Sequence, residues 1–310
     1  MFHELTGRSA LLALNYDAAL GFMKLIRLAL ATPFLLVALF SQNLPPSRTV
    51  LLTIETPSPQ LLSSADVLVS VDKQPFAPVS TLQNASTAPL DIVLVVDSSW
   101  SAVRSKLRTA VLKEVPNFIT AVRNSGITVK TAVVEFNAAS RIVQNFTSDP
   151  IDSSLERLSP GGGSTLHDAL SLAAGLAQQS PESSRHLILV VSDGEDNLSN
   201  ATPDEVVQAA IRASSPIYAV SLGEPLPQYV SIPGRGEKFL RYVSAQSGGE
   251  AYFPENEVQV AKALATIGSE MQKQYFAAVP TTNKRGHHKL RFKMSIPHGV
   301  VRGASAITVD

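Results

Sequence analysis

Three short stretches of the chain are apolar almost without interruption: DIVLVV (91–96), HLILVVS (186–192) and PIYAVSL (216–222). Runs of this length, rich in Val and Ile, suit strands buried on both faces of a sheet. Between them the apolar residues recur at helical spacing. Over 102–124 they stand at Val103, Leu107, Ala110, Val111, Val115, Phe118, Ile119 and Val122, which is one face of a helix. Pro116 is placed to kink that helix, and Ser125-Gly126 to end it. Further helices are predicted over 164–179, 203–213, 238–247 and 258–274, with a short one over 153–158. The third-to-last of the long ones has Thr202 as N-cap and Pro203 at its first position. Strands are also predicted over 127–136, 140–146 and 250–253. Strands alternating with helices make a mostly parallel sheet with helices on both faces, a doubly wound α/β unit over about 89–275.

The flanks follow a different period. Residues 49–54 and 66–71 alternate or cluster β-branched side chains, and Pro57, Pro59, Pro75 and Pro78 punctuate them. Residues 83–87 are polar and read as a connector into the α/β unit. After it, 274–279, 289–296 and 300–309 alternate without helices, as antiparallel strands do. The strands of 47–88 and 276–310 are expected to form one small β-sandwich-like region fed from both ends of the chain. His287 and His288 are expected in a solvent-exposed polar turn between its strands.

Upstream, Lys24 and Arg27 precede an uncharged apolar run over 28–40, followed by Ser41, Gln42 and Asn43, then Pro45 and Pro46. That layout predicts a secretory signal in the region 1–46, and hence export to a periplasm, a cell envelope or the medium. The run is too short to span a bilayer, so membrane contact is expected only through an uncleaved signal. Translation is expected to begin at Met23, with 1–22 as an over-extended reading frame.

Composition narrows the function classes. The 310 residues are 45% hydrophobic, enough for a packed core. Lys plus Arg (26) equals Asp plus Glu (26), so global charge gives no case for nucleic acid as partner. The chain has no cysteine, which excludes disulfides, thiolate metal sites and cysteine nucleophiles.

The candidate chemistry sits at strand ends. Asp97-Ser98-Ser99-Trp100-Ser101 follows the first apolar strand, and alternate spacing aims three oxygen-bearing side chains the same way. By itself this is weak, because Ser101 is equally consistent with a helix N-cap. Two further segments add to it: Gly161-Gly162-Gly163-Ser164-Thr165 before a helix, and Ser192-Asp193-Gly194-Glu195-Asp196 after the second apolar strand. Together they resemble the von Willebrand factor A family, whose metal-ion-dependent adhesion site uses Asp-x-Ser-x-Ser, a threonine in a Gly-rich loop and an aspartate after a later strand. The resemblance covers about 89–275 and fills all five positions, with Asp97, Ser99, Ser101, Thr165 and Asp193. The flanking strands and the tail from Gln274 onward look like the exported bacterial "VWFA-related" proteins.

The resemblance implies a non-enzymatic, adhesion-type protein-binding module. It implies one Mg2+, with Mn2+ or Ca2+ as alternatives, bound directly by Ser99 and Ser101 and directly or through water by the aspartates. An open position would take an Asp or Glu carboxylate of a partner protein. Trp100, Gly163, Ser164 and Glu195 are the expected partner-binding rim. Trp100 stands where many relatives carry glycine, and the sequence leaves two roles for it: a partner contact, or packing under the rim. Glu195 and Asp196 read as a solvated acidic loop, with holding a second cation, Ca2+ by preference, as the alternative. The alternatives are a metal-dependent phosphatase-like enzyme, and a structural envelope protein with a vestigial site. The Gly-rich loop lacks the Lys-Ser/Thr of a phosphate-binding loop. Ser99 lacks the Gly-x-Ser-x-Gly setting of a hydrolase nucleophile. His167 is expected on the helix near the site, without a chemical role.

Overall fold

A computed structural model describes residues 47–181, 183–223, 232, 234–281 and 284–309. The signal expectation on 1–46 lies outside the described residues. Among the described residues no helix is long and apolar enough to cross a membrane.

The predicted apolar runs form the middle of a six-stranded sheet. It contains β5 (Leu90–Asp97), β6 (Val129–Phe136), β7 (Ser140–Thr147), β8 (Arg185–Ser192), β9 (Ile217–Ser221) and β10 (Ala251–Tyr252), in the order β10-β9-β8-β5-β6-β7. All pairings are parallel except β6 with β7. Every residue of β5 and β8 is buried. The two-residue period of a strand divides β5 between two cores. Ile92, Leu94 and Val96 join α2 (Arg108–Asn124) and α7 (Glu257–Met271) on one face. Val93 and Val95 join α4 (Leu166–Ala177), α5 (Pro203–Arg212) and α6 (Arg235–Ser247) on the other. Each such aliphatic side chain contributes about 1.5–3 kcal/mol by leaving water. The helix start predicted at Thr202 is observed, with its hydroxyl accepting from the Glu205 N–H and the Glu205 carboxylate accepting from the Thr202 N–H.

One predicted helix is two. Residues 102–124 break into α1 (Trp100–Val103) and α2. Ser105 causes the break: its hydroxyl donates to the Leu222 carbonyl at 2.5 Å and accepts from the Leu107 N–H at 3.1 Å, so side-chain bonds replace helical ones. Pro116 does not end α2, which runs on to Asn124 because Val115, Phe118 and Ile119 are buried on either side of it. The predicted short helix is α3 (Asp152–Leu155).

The flanks build two four-stranded antiparallel sheets. One is β13-β1-β11-β4, from β1 (Ser47–Glu55), β4 (Thr81–Asn84), β11 (Gln274–Pro280) and β13 (Val300–Gly303). The other is β14-β12-β2-β3, from β2 (Val67–Val71), β3 (Ala77–Pro78), β12 (Gly286–Met294) and β14 (Ala306–Val309). Val50, Leu52, Ala277 and Val279 of the first share a cluster with Val67, Val69, Leu290 and Ile307 of the second. The fold class read from the sequence, doubly wound α/β plus a terminal β-sandwich, is therefore the one observed.

Three details differ. The expected connector over 83–87 begins as β4, an edge strand whose outer residues are polar. The expected strand over 300–309 turns at Ala304-Ser305 and delivers its halves to different sheets. His287 is exposed as expected, but His288 is buried, because β12 starts three residues before its apolar pattern does and turns His288 inward.

Arg185, buried at the start of β8, ties the α/β body to the sandwich. Its guanidinium donates to the carbonyls of Ser86 (3.1 Å), Ala88 (3.0 Å) and Met271 (2.5 Å) and to Gln274 Oε1 (2.9 Å). These groups lie on the two segments where the chain crosses between the parts. All its acceptors are neutral, and burial lowers the guanidinium to about 10.

Candidate functional site

Chain connections leave β5 toward β6 on one side and later return to β8 on the other. The gap between the C-terminal ends of β5 and β8 is thus the topological switch point of the sheet, where open α/β sheets form their binding crevice. Asp97 is the last residue of β5, and Asp193 follows the last residue of β8.

Both carboxylates are buried. Asp97 Oδ1 accepts the Ser99 N–H at 2.9 Å and Oδ2 accepts the Ser192 hydroxyl at 2.7 Å. Ser192 in turn accepts the Gly194 N–H at 2.9 Å. Asp193 Oδ1 accepts the Glu195 N–H at 3.0 Å. Asp193 Oδ2 is buried and makes no hydrogen bond of ordinary geometry among the described residues. The Ser99 and Ser101 hydroxyls lie 3.2 Å apart. Burial pushes the Asp97 carboxyl well above the usual carboxylate range, and the neighbouring Asp193 charge pushes it further, against the bonds from Ser99 and Ser192. Burial also raises Asp193, opposed by the Ser101 hydroxyl and the Glu195 N–H. Two carboxylates held this way are each disfavoured as anions unless positive charge joins them.

Arg108 is a nearby cation. It donates at 3.4 Å to the Asp97 backbone carbonyl and at 3.4 Å to the Ser98 hydroxyl, rather than to either carboxylate.

Of the five expected ligand positions, Asp97, Ser99, Ser101 and Asp193 are linked by these contacts. Thr165 is buried on the neighbouring loop, and its hydroxyl is engaged elsewhere. It donates to the Asn137 carbonyl at 3.1 Å and pairs with the Ser140 hydroxyl at 2.9 Å. The loop that carries it does adjoin the motif: the Gly161 N–H donates to Ser98 O at 2.8 Å and the Trp100 N–H to Gly162 O at 3.2 Å. Gly162 sits at φ +80°, and a Cβ there would meet that of Ala138 at 2.9 Å, so this turn accepts only glycine without strain.

The expected rim divides. Trp100 is 48% exposed, with its ring edge against Gly161 and the Arg104 guanidinium 5.0 Å from its centroid. It both packs on the loop and faces solvent. Gly163 is half-buried beneath Leu198, which is 51% exposed and which no sequence signal singled out. Ser164 and Glu195 are buried rather than on the rim: the Ser164 hydroxyl donates to the Glu195 carbonyl at 2.6 Å, pinning one loop to the other. Asp196 is likewise no solvated acid. It accepts the His167 N–H at 3.0 Å and the Ser199 hydroxyl at 2.5 Å. His167 bonds the Ala201 carbonyl at 2.9 Å and packs 4.3 Å from Phe239, so it fastens the same loop.

Ser192 and Ser140 are the site neighbours that sequence reasoning missed. Ser192 had a signal, as the residue joining an apolar strand to Asp193-Gly194. Ser140 had none. Among the described residues no three His, Asp or Glu side chains converge as a metal cluster. The oxygens gathered here are those of two carboxylates and two serine hydroxyls, hard donors of low total charge.

The von Willebrand factor type A domain profile matches residues 91–284. No curated protein matches the chain. Among solved structures, the chain is similar to the PilB minor pilin from Streptococcus sanguinis, at 14% identity over 60% of this chain and 62% of that one, TM-score 0.47. It thus covers less than two thirds of the pilin chain. It is similar to BatB from Bacteroides thetaiotaomicron, at 19% identity over 59% of this chain and 98% of that one, TM-score 0.46. A von Willebrand factor type A protein from Catenulispora acidiphila aligns at 13% identity over 86% of this chain and 75% of that one, TM-score 0.46. With well over half its length matched by the profile, and with the doubly wound sheet that the match requires, the chain belongs to the von Willebrand factor type A domain family.

Proposed function

We propose that this protein is a non-enzymatic, metal-dependent protein-binding module. Asp97, Ser99, Ser101 and Asp193 hold a Mg2+ ion, Thr165 contributes from the Gly-rich loop, and an Asp or Glu carboxylate of a partner protein completes the coordination. Membership of the family supports the coarser part, a protein-interaction role. The observation that carries the finer part is Asp193 Oδ2, a buried carboxylate oxygen that makes no hydrogen bond of ordinary geometry among the described residues, beside a second buried carboxylate. An unpaired buried acceptor costs about 1–3 kcal/mol, and more when charged, so such a pair calls for a cation. Two carboxylates with neutral hydroxyls suit Mg2+, which takes few charged ligands and keeps some positions for water or an outside oxygen. When bound, the ion supplies the positive charge that draws the partner carboxylate. Mn2+ shares this preference; Ca2+ wants more oxygens than are gathered here.

The chain's own residues orient the donors. The Ser99 N–H and Ser192 hydroxyl fix the Asp97 carboxylate, and the Glu195 N–H fixes Asp193. Trp100 and Gly163 border the crevice, with Leu198 over Gly163. We place the protein outside the cytoplasm, in the envelope or secreted, on the signal-like pattern of 23–46.

The test is a Mg2+ titration followed by calorimetry and thermal melting. Mg2+ at a hundred times its Kd should stabilise the fold by about 2.7 kcal/mol, EDTA should reverse this, and Asp97→Ala should abolish it. An unchanged melting temperature with saturating Mg2+, Mn2+ or Ca2+ would falsify the reading. Turnover of phosphate esters by the wild type, lost in Asp97→Ala, would replace it with an enzyme.

A further inference from the structure

Basic residues are unevenly distributed. The chain as a whole balances 26 basic against 26 acidic residues, yet 271–309 contains seven Lys and Arg and no Asp or Glu. Strand β12 carries three of the seven, Lys289, Arg291 and Lys293, on one side. Its alternation sends His288, Leu290, Phe292 and Met294 toward the sandwich core and leaves His287, Lys289, Arg291 and Lys293 exposed on the outer face. Successive outward residues of a strand stand about 7 Å apart, so the four make a row about 20 Å long.

Among the described residues nothing acidic faces that row across the sheet. Its cross-strand neighbours are Thr308 and Ala306 on β14 and Ser70 and Leu68 on β2. The nearest acid in register is Asp72, whose carboxylate is committed to His288 Nδ1 at 2.5 Å and to the Lys289 backbone N–H at 2.9 Å. Asp66 is committed to Ser63. The row is also pre-ordered. Lys293 Nζ lies 4.4 Å and Arg291 Cζ 5.6 Å from the ring centroid of Phe76, and Arg291 donates to the Ser70 hydroxyl at 3.2 Å. Cations already held in place lose less freedom when a ligand arrives.

We propose that this outer face of the sandwich binds a linear, base-free phosphodiester polymer of the poly(glycerol phosphate) kind. Successive phosphorus atoms in such a chain are six bonds apart, the same number that separates alternate residues of a strand. Each repeat therefore reaches about 7 Å when extended, and successive phosphates meet successive cations. Nucleic acid shares the backbone repeat, but single-strand binders add open aromatic platforms for the bases. Here the exposed aromatic, Phe76, is covered by Arg291 and Lys293. The same cover closes it to a lipid chain. The surface is separate from the crevice at Asp97 and does not depend on the metal reading.

The experiment titrates a fluorescent poly(glycerol phosphate) oligomer into the full chain in EDTA, at rising salt. Binding is expected, with a log–log salt slope of about −2 to −3, since each neutralised single-strand phosphate contributes about −0.7. Lys289→Ser, Arg291→Ser and Lys293→Ser combined should weaken it at least about ten-fold. The single variant Lys293→Glu should weaken it several-fold, which keeps the test valid if the triple variant melts early. Lys113→Gln, Lys238→Gln and Lys262→Gln combined, exposed on the helices of the α/β body, should leave it unchanged. A flat salt response, equal losses in both triples, or tighter binding of oligo(dT) or phosphatidylglycerol vesicles than of the polymer would overturn the proposal.

Discussion

Ser192 shows how a residue can hold a candidate site together and still be passed over in the sequence. It ends an apolar strand and reads as a strand residue, yet its hydroxyl joins Asp97 to the Gly194 backbone. Asp97, Ser99, Ser101 and Asp193 stand out because three segments together resemble the von Willebrand factor A metal site; the spacing alone suits a helix N-cap equally well. Ser192→Ala should therefore cost about 1–3 kcal/mol by stranding a buried carboxylate oxygen and an N–H, and should weaken Mg2+ binding while leaving the fold intact. Paired urea titrations with and without Mg2+ will measure both; no change in either would remove Ser192 from the site. His288 was misread for a related reason: a histidine pair beside basic residues looks like a wet turn until its partner, far away in sequence, is known. Its ring nitrogens face Asp72 and the Lys284 carbonyl, both acceptors, and these hold its pKa above the ordinary value while Asp72 is held below its own. The His288 contribution is thus complete below its unfolded value near 6.5 and is lost as pH rises through the raised folded value. The Asp72 contribution is complete above its unfolded value near 3.8 and is lost as pH falls through the lowered one. The stability gap between wild type and His288→Asn should accordingly be widest near pH 5 to 6 and shrink by pH 9. A gap independent of pH would show that the pair contributes through packing alone.

At the scale of elements, continuous apolar runs placed β5, β8 and β9 well, since a strand buried on both faces admits little else. The break between α1 and α2 was invisible because Val103 and Leu107 keep helical spacing across it, while Ser105 diverts the backbone through a contact with distant Leu222. Arg185 was hidden too: one residue before an apolar run, it looks like a solvated strand end. It is instead the junction of β8 with the segments entering β5 and leaving α7, and all its partners are neutral oxygens. Arg185→Met should leave several buried acceptors unpaired and destabilise the fold by roughly 3 kcal/mol or more. Arg185→Lys should recover little, because an ammonium cannot reproduce the planar fork. Denaturation midpoints of the two variants decide this, and a lysine variant as stable as wild type would show that only the charge matters.

On the scale of the whole molecule, the sequence announced that both flanks of the α/β unit, 47–88 and 276–310, are β-structure, but not that β1 would pair with both β11 and β13. Pairings over more than two hundred residues are set by which faces must be buried together, and no local pattern encodes them. The consequence is a body whose parts are joined at several points besides the peptide chain. Arg302 on β13 pairs with Glu250 and with buried Glu270 on α7. Glu270 in turn accepts the Tyr218 and Tyr252 hydroxyls at 2.8 and 3.0 Å, from strands of the central sheet. Burial and the Glu270 charge push both phenols above their ordinary values, so the network holds neutral tyrosines around one carboxylate and its guanidinium partner. A carboxylate buried in this way cannot lose its cation cheaply; removing one partner of a buried pair costs about 3–5 kcal/mol. The guanidinium is a quarter exposed, which places Arg302→Met near the lower end of that range. The loss falls on the junction rather than on either core. Wild-type protein should therefore melt in one calorimetric transition whose van't Hoff and calorimetric enthalpies agree, whereas Arg302→Met should melt in two, the sandwich first. Two resolved transitions in the wild type would mean that the junction is too weak to couple the parts. Nor could it then pass a change at the Asp97 crevice to the basic face of β12.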